Sequence, residues 1–359
     1  MSSLIYDITS NCNLACKHCY NSKFLKGSEE TLINVNEVIS KILEIKPEVL
    51  LIQGGEPLLV KNLEQLIERV KREKIKAYIT TNAISFDENR IINILRTGIS
   101  GIFFSLESND EKKNDLIRGQ GSYKTAIFNI KNFIKIYNLA LNKNIINEIL
   151  ICLYVTITPL NINNKNDIEN IFKLASNLGL KDLSFAFLIP SGVGEELIKL
   201  KNSNSNIDIA DFIAEVSQNY PNIRVRIPYK KLLFEYLNLK FKNLNIWGEK
   251  SKCIAGEKLN YLNKDLEIHP CSCVNKYDLN QLFIKKNQIK KNQKYDKKYF
   301  KNFYEVKGSN FRKLPNLCKN CQHLEECIKV CPYDLIISNE KIDISECIEL
   351  KKRINNLVE

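Results

Sequence analysis

Short runs rich in β-branched and aromatic residues alternate with longer stretches in which apolar residues recur every three or four positions. The short runs predict buried strands, and the longer stretches predict amphipathic helices. Residues 63–74, for example, place Leu63, Leu66, Ile67 and Val70 on one helical face. The predicted strands are Leu4–Thr9, Val49–Gln53, Lys76–Thr81, Gly101–Leu106, Leu150–Thr158 and Asp182–Phe187. The predicted helices between them are Asn36–Ile45, Leu63–Lys74, Glu88–Thr97, Tyr123–Tyr137 and Asp167–Leu178.

The repeated alternation of strand and helix predicts an α/β fold in which helices cover a parallel sheet. Six strands fit an open, partial (β/α)6 barrel of the TIM type, and they fit a flat doubly wound sheet equally well. The pattern alone leaves both architectures open. Asp167 and Asp208 are predicted helix N-caps, and Gly179 is predicted to follow the end of a helix.

The pattern changes after Lys199. Residues 201–206, with the sequence KNSNSN, predict a polar linker, and Asp208–Ser217 predicts one more helix. Beyond Trp247 the periodicity fades, and eight of the twelve cysteines lie between Cys253 and Cys347. A segment of this kind is usually held together by metal rather than by an apolar core.

Three regions are therefore predicted along the chain. Residues 1–200 form the barrel, residues 201–247 form a bridging region, and residues 248–359 form a small, loop-rich, cysteine-rich domain. The boundary before the last region is expected between residues 240 and 252.

The composition is that of a globular protein, with 44% hydrophobic and 26% charged residues in a chain of 359. We find neither a signal peptide nor an apolar run of the roughly 18 to 20 residues that a membrane span needs, so a cytoplasmic location without membrane contact is expected. The net charge of +12 is concentrated in Lys285–Lys301. A solvated basic surface is the favoured interpretation of this run, an anionic partner is the alternative, and no nucleic-acid partner is expected.

Three cysteines, Cys12, Cys16 and Cys19, follow the first predicted strand with three and then two residues between them. The loop lies at the carboxyl end of that strand, where barrel and open-sheet enzymes carry their chemistry. Without a secretory signal, clustered cysteines indicate metal rather than disulfides. Three thiolates are one ligand short of a four-iron cubane, which leaves one iron open to a substrate or cofactor. A structural zinc site with His18 as fourth ligand is the alternative.

This loop resembles the signature of the radical S-adenosylmethionine (SAM) superfamily, in which an aromatic-type residue, here His18, precedes the third cysteine. The resemblance implies a catalytic [4Fe-4S] cluster on Cys12, Cys16 and Cys19 whose open iron is chelated by S-adenosyl-L-methionine. Reductive cleavage of the sulfonium would then yield a 5′-deoxyadenosyl radical, which takes a hydrogen atom from an unactivated carbon.

Further segments resemble the superfamily's cofactor-binding motifs. Gly54-Gly55-Glu56-Pro57 resembles its GGEP segment, in which the glycines let the backbone approach the methionine moiety and Glu56 would hold the ammonium group. Thr81-Asn82 resembles its TN segment, and residues 105–108, SLES, occupy the place of its SxD or SxE segment. Arg118 resembles the arginine that pairs with the methionine carboxylate. The cofactor-binding residues implied in this way are His18, Gly54, Gly55, Glu56, Asn82, Ser105 and Arg118.

Seven downstream cysteines resemble the SPASM extension of peptide- and protein-modifying radical SAM enzymes. They are Cys253, Cys271, Cys318, Cys321, Cys327, Cys331 and Cys347. The resemblance implies two auxiliary [4Fe-4S] clusters, three clusters in all. The implied ligands are Cys253, Cys271 and Cys331 for the first auxiliary cluster, and Cys318, Cys321, Cys327 and Cys347 for the second. A zinc ribbon on the four cysteines between residues 318 and 331 is the alternative.

Two cysteines fall outside this pattern. Cys273 is favoured as the fourth ligand of the first auxiliary cluster, and an iron left open to substrate is the alternative. Cys152, on the fifth strand, is interpreted as a packed core thiol. The alternative role for Cys152 is a hydrogen-atom donor facing the barrel interior, as peptide epimerases require.

The resemblance implies an oxidoreductase-type modification of a ribosomally made peptide or small protein (RiPP maturation) by crosslinking, oxidation or epimerisation. The alternative is a haem-pathway enzyme that acts on a tetrapyrrole side chain. A non-enzymatic iron–sulfur electron carrier is disfavoured, because it would need no GGEP segment. An electron donor such as flavodoxin or ferredoxin is expected. Because Cys12 lies so near the start, no leader-binding module is expected before the barrel, and a leader would be recognised by a separate protein or by the barrel.

Overall fold

The computed structural model describes ten stretches of the chain, which are residues 2–22, 25–189, 192–200, 204–227, 231–248, 255–256, 258–272, 318, 321–322 and 344–358. The chain divides into two compact units. The first comprises Met1–Ile227 with Asn245–Trp247, and the second comprises Pro228–Leu244 with Gly248–Glu359. The three regions expected from the sequence stay predictions.

The first unit is built on parallel strands that lie in the sheet in the same order as in the chain. They are β1 (Ser3–Asp7), β2 (Val49–Gln53), β3 (Lys76–Thr81), β4 (Gly101–Ser105), β5 (Leu150–Ile157), β6 (Asp182–Phe187), β7 (Arg224–Arg226) and β8 (Ile246–Trp247). Because every crossover advances in the same direction, right-handed connections put the helices on one face of the sheet. A doubly wound sheet would reverse its strand order instead. The predicted α/β fold with an open, partial barrel is confirmed.

Helices cover the outer face of this sheet. They are α1 (Val35–Ile45), α2 (Leu63–Arg72), α3 (Glu88–Arg96), α4 (Glu111–Arg118), α5 (Ser122–Asn142), α6 (Lys165–Asn177), α7 (Gly194–Lys199) and α8 (Asn206–Ser217). Helix α2 buries Leu63, Leu66, Ile67 and Val70, as its periodicity predicts. Helices α4 and α7 were not predicted, because each is short and carries too few apolar residues to show a period.

Two predicted N-caps are wrong, and both errors have the same cause. Helix α6 is capped by Asn164, whose side chain accepts a hydrogen bond from the Asp167 N–H, and Ser205 caps α8 in a capping box with Asp208. Each aspartate therefore lies at the third helical position. Asp208 supports the cap by accepting from the Ser205 N–H, whereas Asp167 accepts from the N–H of Asn163, the residue before the cap. Gly179 follows α6 in the left-handed conformation, with φ of 69°, so its predicted position is confirmed.

The inner face of the barrel carries a row of aromatic side chains. Phe104 points outward, because its ring packs 5.2 Å from that of Phe133 on α5. Side chains alternate along a strand, so Phe103 faces the interior. Its ring lies 6.2 Å from Tyr78 on β3 and 6.5 Å from Tyr154 on β5. Tyr78 pairs in register with Gly101, the first residue of β4, so this row begins at the end of the sheet opposite the cysteine loop.

In the second unit, α9 (Lys231–Lys240) packs against α10 (Ser345–Val358). Strands β9 (Leu259–Leu262) and β10 (Ile268–His269) form an antiparallel pair. The basic run at residues 285–301 lies outside the described residues. Among the helices that the structure describes, none is both long and apolar enough to cross a bilayer.

Candidate active site

Cys12, Cys16 and Cys19 lie half-buried on the loop after β1. The N–H of Cys12 donates to Gly27 O at 2.6 Å, and the N–H of Cys19 donates to Cys16 O at 3.0 Å. Burial, with smaller contributions from the negative charges of Glu56, Cys16 and Cys19, raises the pKa of Cys12 to about 12. Burial likewise raises the pKa of Cys16 to about 11. Three mutually close thiols of this kind become thiolates readily only when a cationic group binds them, and the donor set fits an iron–sulfur cluster.

The glycines of the GGEP segment are in backbone contact with this loop. The N–H of Gly55 donates to Thr9 O, and the N–H of Glu56 donates to Asn11 O, both at 2.8 Å. A Cβ atom on Gly55 would lie 2.0 Å from Asn11 O, and one on Gly54, whose φ is +134°, would lie 2.6 Å from Thr9 O. The resemblance to the GGEP segment implies that these glycines let the backbone approach a cofactor. The structure shows that the chain's own cysteine loop requires them.

Glu56 is buried and receives hydrogen bonds at both carboxylate oxygens. Its Oε1 accepts from the Thr81 hydroxyl at 2.6 Å and from the Leu58 N–H at 3.0 Å, and its Oε2 accepts from the Asn82 N–H at 2.8 Å. Burial raises the pKa of Glu56, and the bonds from Thr81, Asn82 and Leu58 partly oppose the increase. A carboxylate oxygen accepts about two hydrogen bonds. Among the described contacts Oε2 has one, so it retains capacity for an ammonium group.

Asn82 connects the end of β3 to the cysteine loop. Its Nδ2 donates to Asn13 Oδ1 at 2.7 Å, and Asn13 Nδ2 donates to Ser85 Oγ at 2.9 Å. Asn13 lies between the first two cysteines in the sequence and was not predicted as a site residue. No motif spacing marks it, because its role comes from a neighbour 69 residues away.

Glu107 and Arg118 form a fully buried ion pair beside the same loop. Arg118 donates to Glu107 Oε1 from Nη2 at 2.7 Å and from Nε at 3.1 Å, and its Nη1 lies 4.0 Å from Cys16 Sγ. The Thr156 N–H donates to Glu107 Oε2 at 2.6 Å. Arg118 was expected to pair with a methionine carboxylate, and in the structure two of its donors are already engaged by Glu107. Glu107 lies within the SLES segment but was not predicted as a site residue.

His18 lies next to this pair. Its Nε2 is 3.4 Å from Glu107 Oε1, whereas its Nδ1 is buried without a hydrogen-bond partner in the described part of the chain. Burial lowers the pKa of His18, so the ring is neutral near pH 7. The Nε2 edge of the ring is directed at Glu107, and the unpartnered Nδ1 is left available to a bound group.

A second polar cluster at the ends of β1 and β2 was not predicted. Gln53 Nε2 donates to the Tyr20 hydroxyl at 2.8 Å and to Asp7 Oδ1 at 3.1 Å, and Asn21 Nδ2 donates to Asp7 Oδ2 at 3.1 Å. Burial raises the pKa of Tyr20 well above its ordinary value. Tyr20 directly follows Cys19, so this cluster anchors the end of the cysteine loop to the sheet.

Ser105 and Cys152 belong to the inner wall of the barrel. Ser105 is buried at the end of β4 and pairs in register with Tyr154. Cys152 pairs in register with Phe103, which puts it on the inner face, yet only 3% of it is exposed. Burial raises the pKa of its thiol strongly. Both of its predicted roles, packing and hydrogen donation, stay predictions.

The described part of the second unit contains four of the predicted auxiliary ligands. Cys271, Cys318, Cys321 and Cys347 are half-buried, and the Cys321 N–H donates to Cys318 O at 3.1 Å. Four further predicted ligands lie outside the described residues. They are Cys253, Cys273, Cys327 and Cys331.

Residues 6–175 match the family model of the Radical SAM superfamily. The chain contains a radical SAM domain. All the residues that converge around the cysteine loop, from Asp7 to Thr156, lie within this domain.

The curated relatives match only part of the chain. The Fe-coproporphyrin III synthase of Methanosarcina barkeri is 26% identical over 213 residues, which is 57% of this chain and 50% of the relative. This chain thus spans about half the length of the curated relatives it matches.

Solved structures of two other proteins share the fold over most of the chain. SuiB of Streptococcus suis, bound to its precursor peptide SuiA, has a TM-score of 0.64 at 17% identity, covering 93% of this chain and 72% of SuiB. anSMEcpe, with bound AdoMet and the Cp18Cys peptide, has a TM-score of 0.58 at 15% identity, covering 99% of this chain and 97% of anSMEcpe. At these identities, the similarity is one of fold.

Proposed function

We propose that this chain is a radical SAM enzyme that abstracts a hydrogen atom from a ribosomally made peptide or small protein. One observation carries the proposal of radical chemistry: the loop with Cys12, Cys16 and Cys19 is in backbone contact with Gly55 and lies beside the Glu107–Arg118 pair. The three cysteine sulfurs would hold three irons of a [4Fe-4S] cluster. The cluster and S-adenosylmethionine would together supply a 5′-deoxyadenosyl radical.

The residues of the chain would then bind and orient the cofactor. Glu56 Oε2 retains acceptor capacity for the ammonium group of the cofactor, and Asn82 holds both Glu56 and the cysteine loop in position. Ser105 and His18 are proposed to contact the ribose and adenine portions. The ring of Phe103, between Tyr78 and Tyr154, would fill part of the interior and reduce its access to water.

The peptide substrate is supported by the cysteine content of the second unit. We propose two auxiliary [4Fe-4S] clusters on the cysteines that resemble the SPASM pattern, with Cys273 completing the first. Cys271, Cys318, Cys321 and Cys347 are half-buried, as ligands of an enclosed cluster would be. The fold shared with SuiB, which binds a precursor peptide, and with anSMEcpe, which binds a peptide, agrees with this substrate class. Flavodoxin or ferredoxin is the proposed electron donor.

Action on a tetrapyrrole side chain is the second candidate. It is favoured by the 26% identity to Fe-coproporphyrin III synthase, which exceeds the identity to either peptide-bound structure. The radical SAM half of the chain would do the same chemistry in either case.

Iron content and cofactor cleavage test the radical chemistry. After anaerobic reconstitution, three clusters correspond to about 12 iron per chain, and replacing Cys12, Cys16 and Cys19 together by Ala should remove about a third of it. The same variant should form no 5′-deoxyadenosine when supplied with S-adenosylmethionine and dithionite. Stoichiometric zinc with little iron would refute the proposal.

The substrate is tested by supplying two probes to the reconstituted chain. One is the set of short cysteine- or aromatic-rich peptides encoded beside its gene, and the other is iron-coproporphyrin III. Mass spectrometry after reaction in D2O, which also labels an epimerised residue with solvent deuterium, should detect a changed mass in a peptide and none in the porphyrin. The opposite result would establish the second candidate.

A further inference from the structure

We propose that Arg118 and Glu107 act as a pair of opposed positioning residues that set the reduction potential of the cluster bound by Cys16. Arg118 raises the potential, and Glu107 lowers it. This inference rests on the proposed cluster at Cys12, Cys16 and Cys19, and it assigns to Arg118 a role different from binding the methionine carboxylate.

The geometry directs one edge of the guanidinium at the cluster ligand. Nε and Nη2 of Arg118 both donate to Glu107 Oε1, which leaves Nη1, at 4.0 Å, as the donor nearest Cys16 Sγ. The guanidinium is planar, so two bonds to one carboxylate oxygen fix the direction of the third nitrogen. The pair therefore orients a cationic N–H donor towards a thiolate sulfur.

The backbone keeps Arg118 in this place. Arg118 is the last residue of α4, and the N–H of Lys17, next to Cys16, donates to Ile117 O at 2.8 Å. Gly119 then turns the chain with φ of +117°. The end of the helix and the cysteine loop are thus hydrogen-bonded directly, so the backbone of Arg118 stays beside the loop, while the bonds to Glu107 hold its side chain.

Glu107 is fixed from the other side. Its Oε2 accepts from the Thr156 N–H at 2.6 Å, and the His18 ring approaches its Oε1 at 3.4 Å. The side chain of Glu107 is 0% exposed and that of Arg118 is 8% exposed. Solvent and salt therefore screen both charges poorly, and each acts at nearly full strength on a neighbouring charge.

Reduction adds one negative charge to a cluster. A cation and an N–H donor beside a ligand sulfur stabilise that extra charge and raise the potential, whereas a carboxylate destabilises it and lowers the potential. Arg118 Nη1 lies 4.0 Å from Cys16 Sγ, so the charge of Arg118 acts on this ligand at short range. The two residues should shift the potential in opposite directions, which a loss of packing would not produce.

The test is a redox titration of the reconstituted full chain that is monitored by electron paramagnetic resonance. The signal of interest is the one that disappears when Cys12, Cys16 and Cys19 are all replaced by Ala. Arg118→Gln should lower the midpoint potential by about 59 mV or more, which corresponds to a tenfold change in the one-electron equilibrium constant. Glu107→Gln should raise the midpoint potential by a similar amount. Arg118→Lys, which keeps the charge, should lie closer to the wild type than Arg118→Gln does.

A matched control pair lies on the outer helices, where Arg90 Nε binds Glu64 Oε1 at 2.9 Å. Arg90→Gln and Glu64→Gln should leave the midpoint unchanged. If the cluster forms but both site variants shift the midpoint in the same direction, or shift it no more than the controls do, the inference is wrong while the proposed function stands. If no iron is lost from the triple cysteine variant, the proposed function and the inference both fail.

Discussion

Gly55 lies so close to Asn11 that a single added carbon would collide with it: a Cβ on Gly55 would be 2.0 Å from the Asn11 carbonyl oxygen. Asn11 directly precedes Cys12, and its carbonyl oxygen also accepts the hydrogen bond from the N–H of Glu56. One contact therefore couples the start of the cysteine loop to the GGEP segment. The position of Cys12, a proposed cluster ligand, therefore depends on a residue that carries no side chain.

Replacing Gly55 should therefore displace Cys12. In Gly55→Ala the clash is with backbone, which cannot rotate away, so we expect the loop to shift and the reconstituted chain to lose about a third of its iron, that of one cluster in three. Gly27→Ala is the matched control, because Gly27 bonds to the Cys12 N–H through its carbonyl but a Cβ there meets nothing within 4 Å. Equal iron content in the two variants would contradict the prediction.

The buried carboxyl of Glu56 should make the stability of the chain depend on pH. Burial raises its pKa above the ordinary value of 4.5, so the folded chain binds the proton more tightly than the unfolded chain does. The free energy of unfolding should fall as the pH rises from about 4.5 through the folded pKa. Glu56→Gln removes this ionisation, so its stability relative to the wild type should increase over that interval. Urea unfolding from about pH 4 to about pH 7, after a chelator has removed metal from both chains, measures the difference. If the free energies of unfolding of the variant and the wild type change in parallel with pH, the effect is ruled out.

Asp115 should stabilise the start of α5 with the opposite dependence on pH. Burial alone would raise the pKa of Asp115, but hydrogen bonds from the N–H groups of Tyr123 and Gly121 and from Ser122 lower it overall. Its contribution is therefore present above the ordinary value of 3.8 and is lost as the pH falls through the folded pKa. Asp115→Ala should cost about 1 kcal/mol or more near pH 7, the usual cost of a lost cap, and less in acid.

Asp110→Asn is the control for that measurement. Asp110 caps α4 by accepting from the Lys113 N–H at 3.1 Å, and asparagine caps a helix about as well as aspartate does. This variant should unfold at nearly the wild-type denaturant concentration. A constant difference between Asp115→Ala and the wild type from neutral to acid pH would contradict the assignment.

Cys152 should behave as an unreactive buried thiol. Burial raises its pKa, and the thiolate is the form that reacts with alkylating agents, so iodoacetamide should leave Cys152 unmodified in the folded chain. Cys152→Ala should cost about 1 kcal/mol of stability and leave cofactor cleavage and product formation unchanged. Loss of product with intact clusters would instead identify Cys152 as a hydrogen-atom donor and favour epimerisation.

The sequence predicted the strands and helices whose apolar residues recur at a regular spacing. Strands β2, β3 and β6 have the predicted bounds, because β-branched and apolar runs bordered by polar residues mark a buried strand within a few positions. The polar helix α4 was missed, although it carries Arg118, because its residues show no apolar period. The N-caps of α6 and α8 were misassigned because, in each case, two residues that can cap a helix lie three positions apart. Residue type alone does not say which of the two is the N-cap.

The sequence by itself determined the α/β fold class and the spacing of Cys12, Cys16 and Cys19. Both depend on residues near one another in the chain, whose periodicity and identity can be read directly. Only the tertiary structure decided that the sheet keeps its strand order and forms an open, partial barrel rather than a doubly wound sheet. It also decided that Arg118 approaches Cys16, 102 residues away, and that Glu107 orients it. Such contacts depend on how strands and helices pack, and packing joins residues whose separation along the chain carries no signal of their proximity.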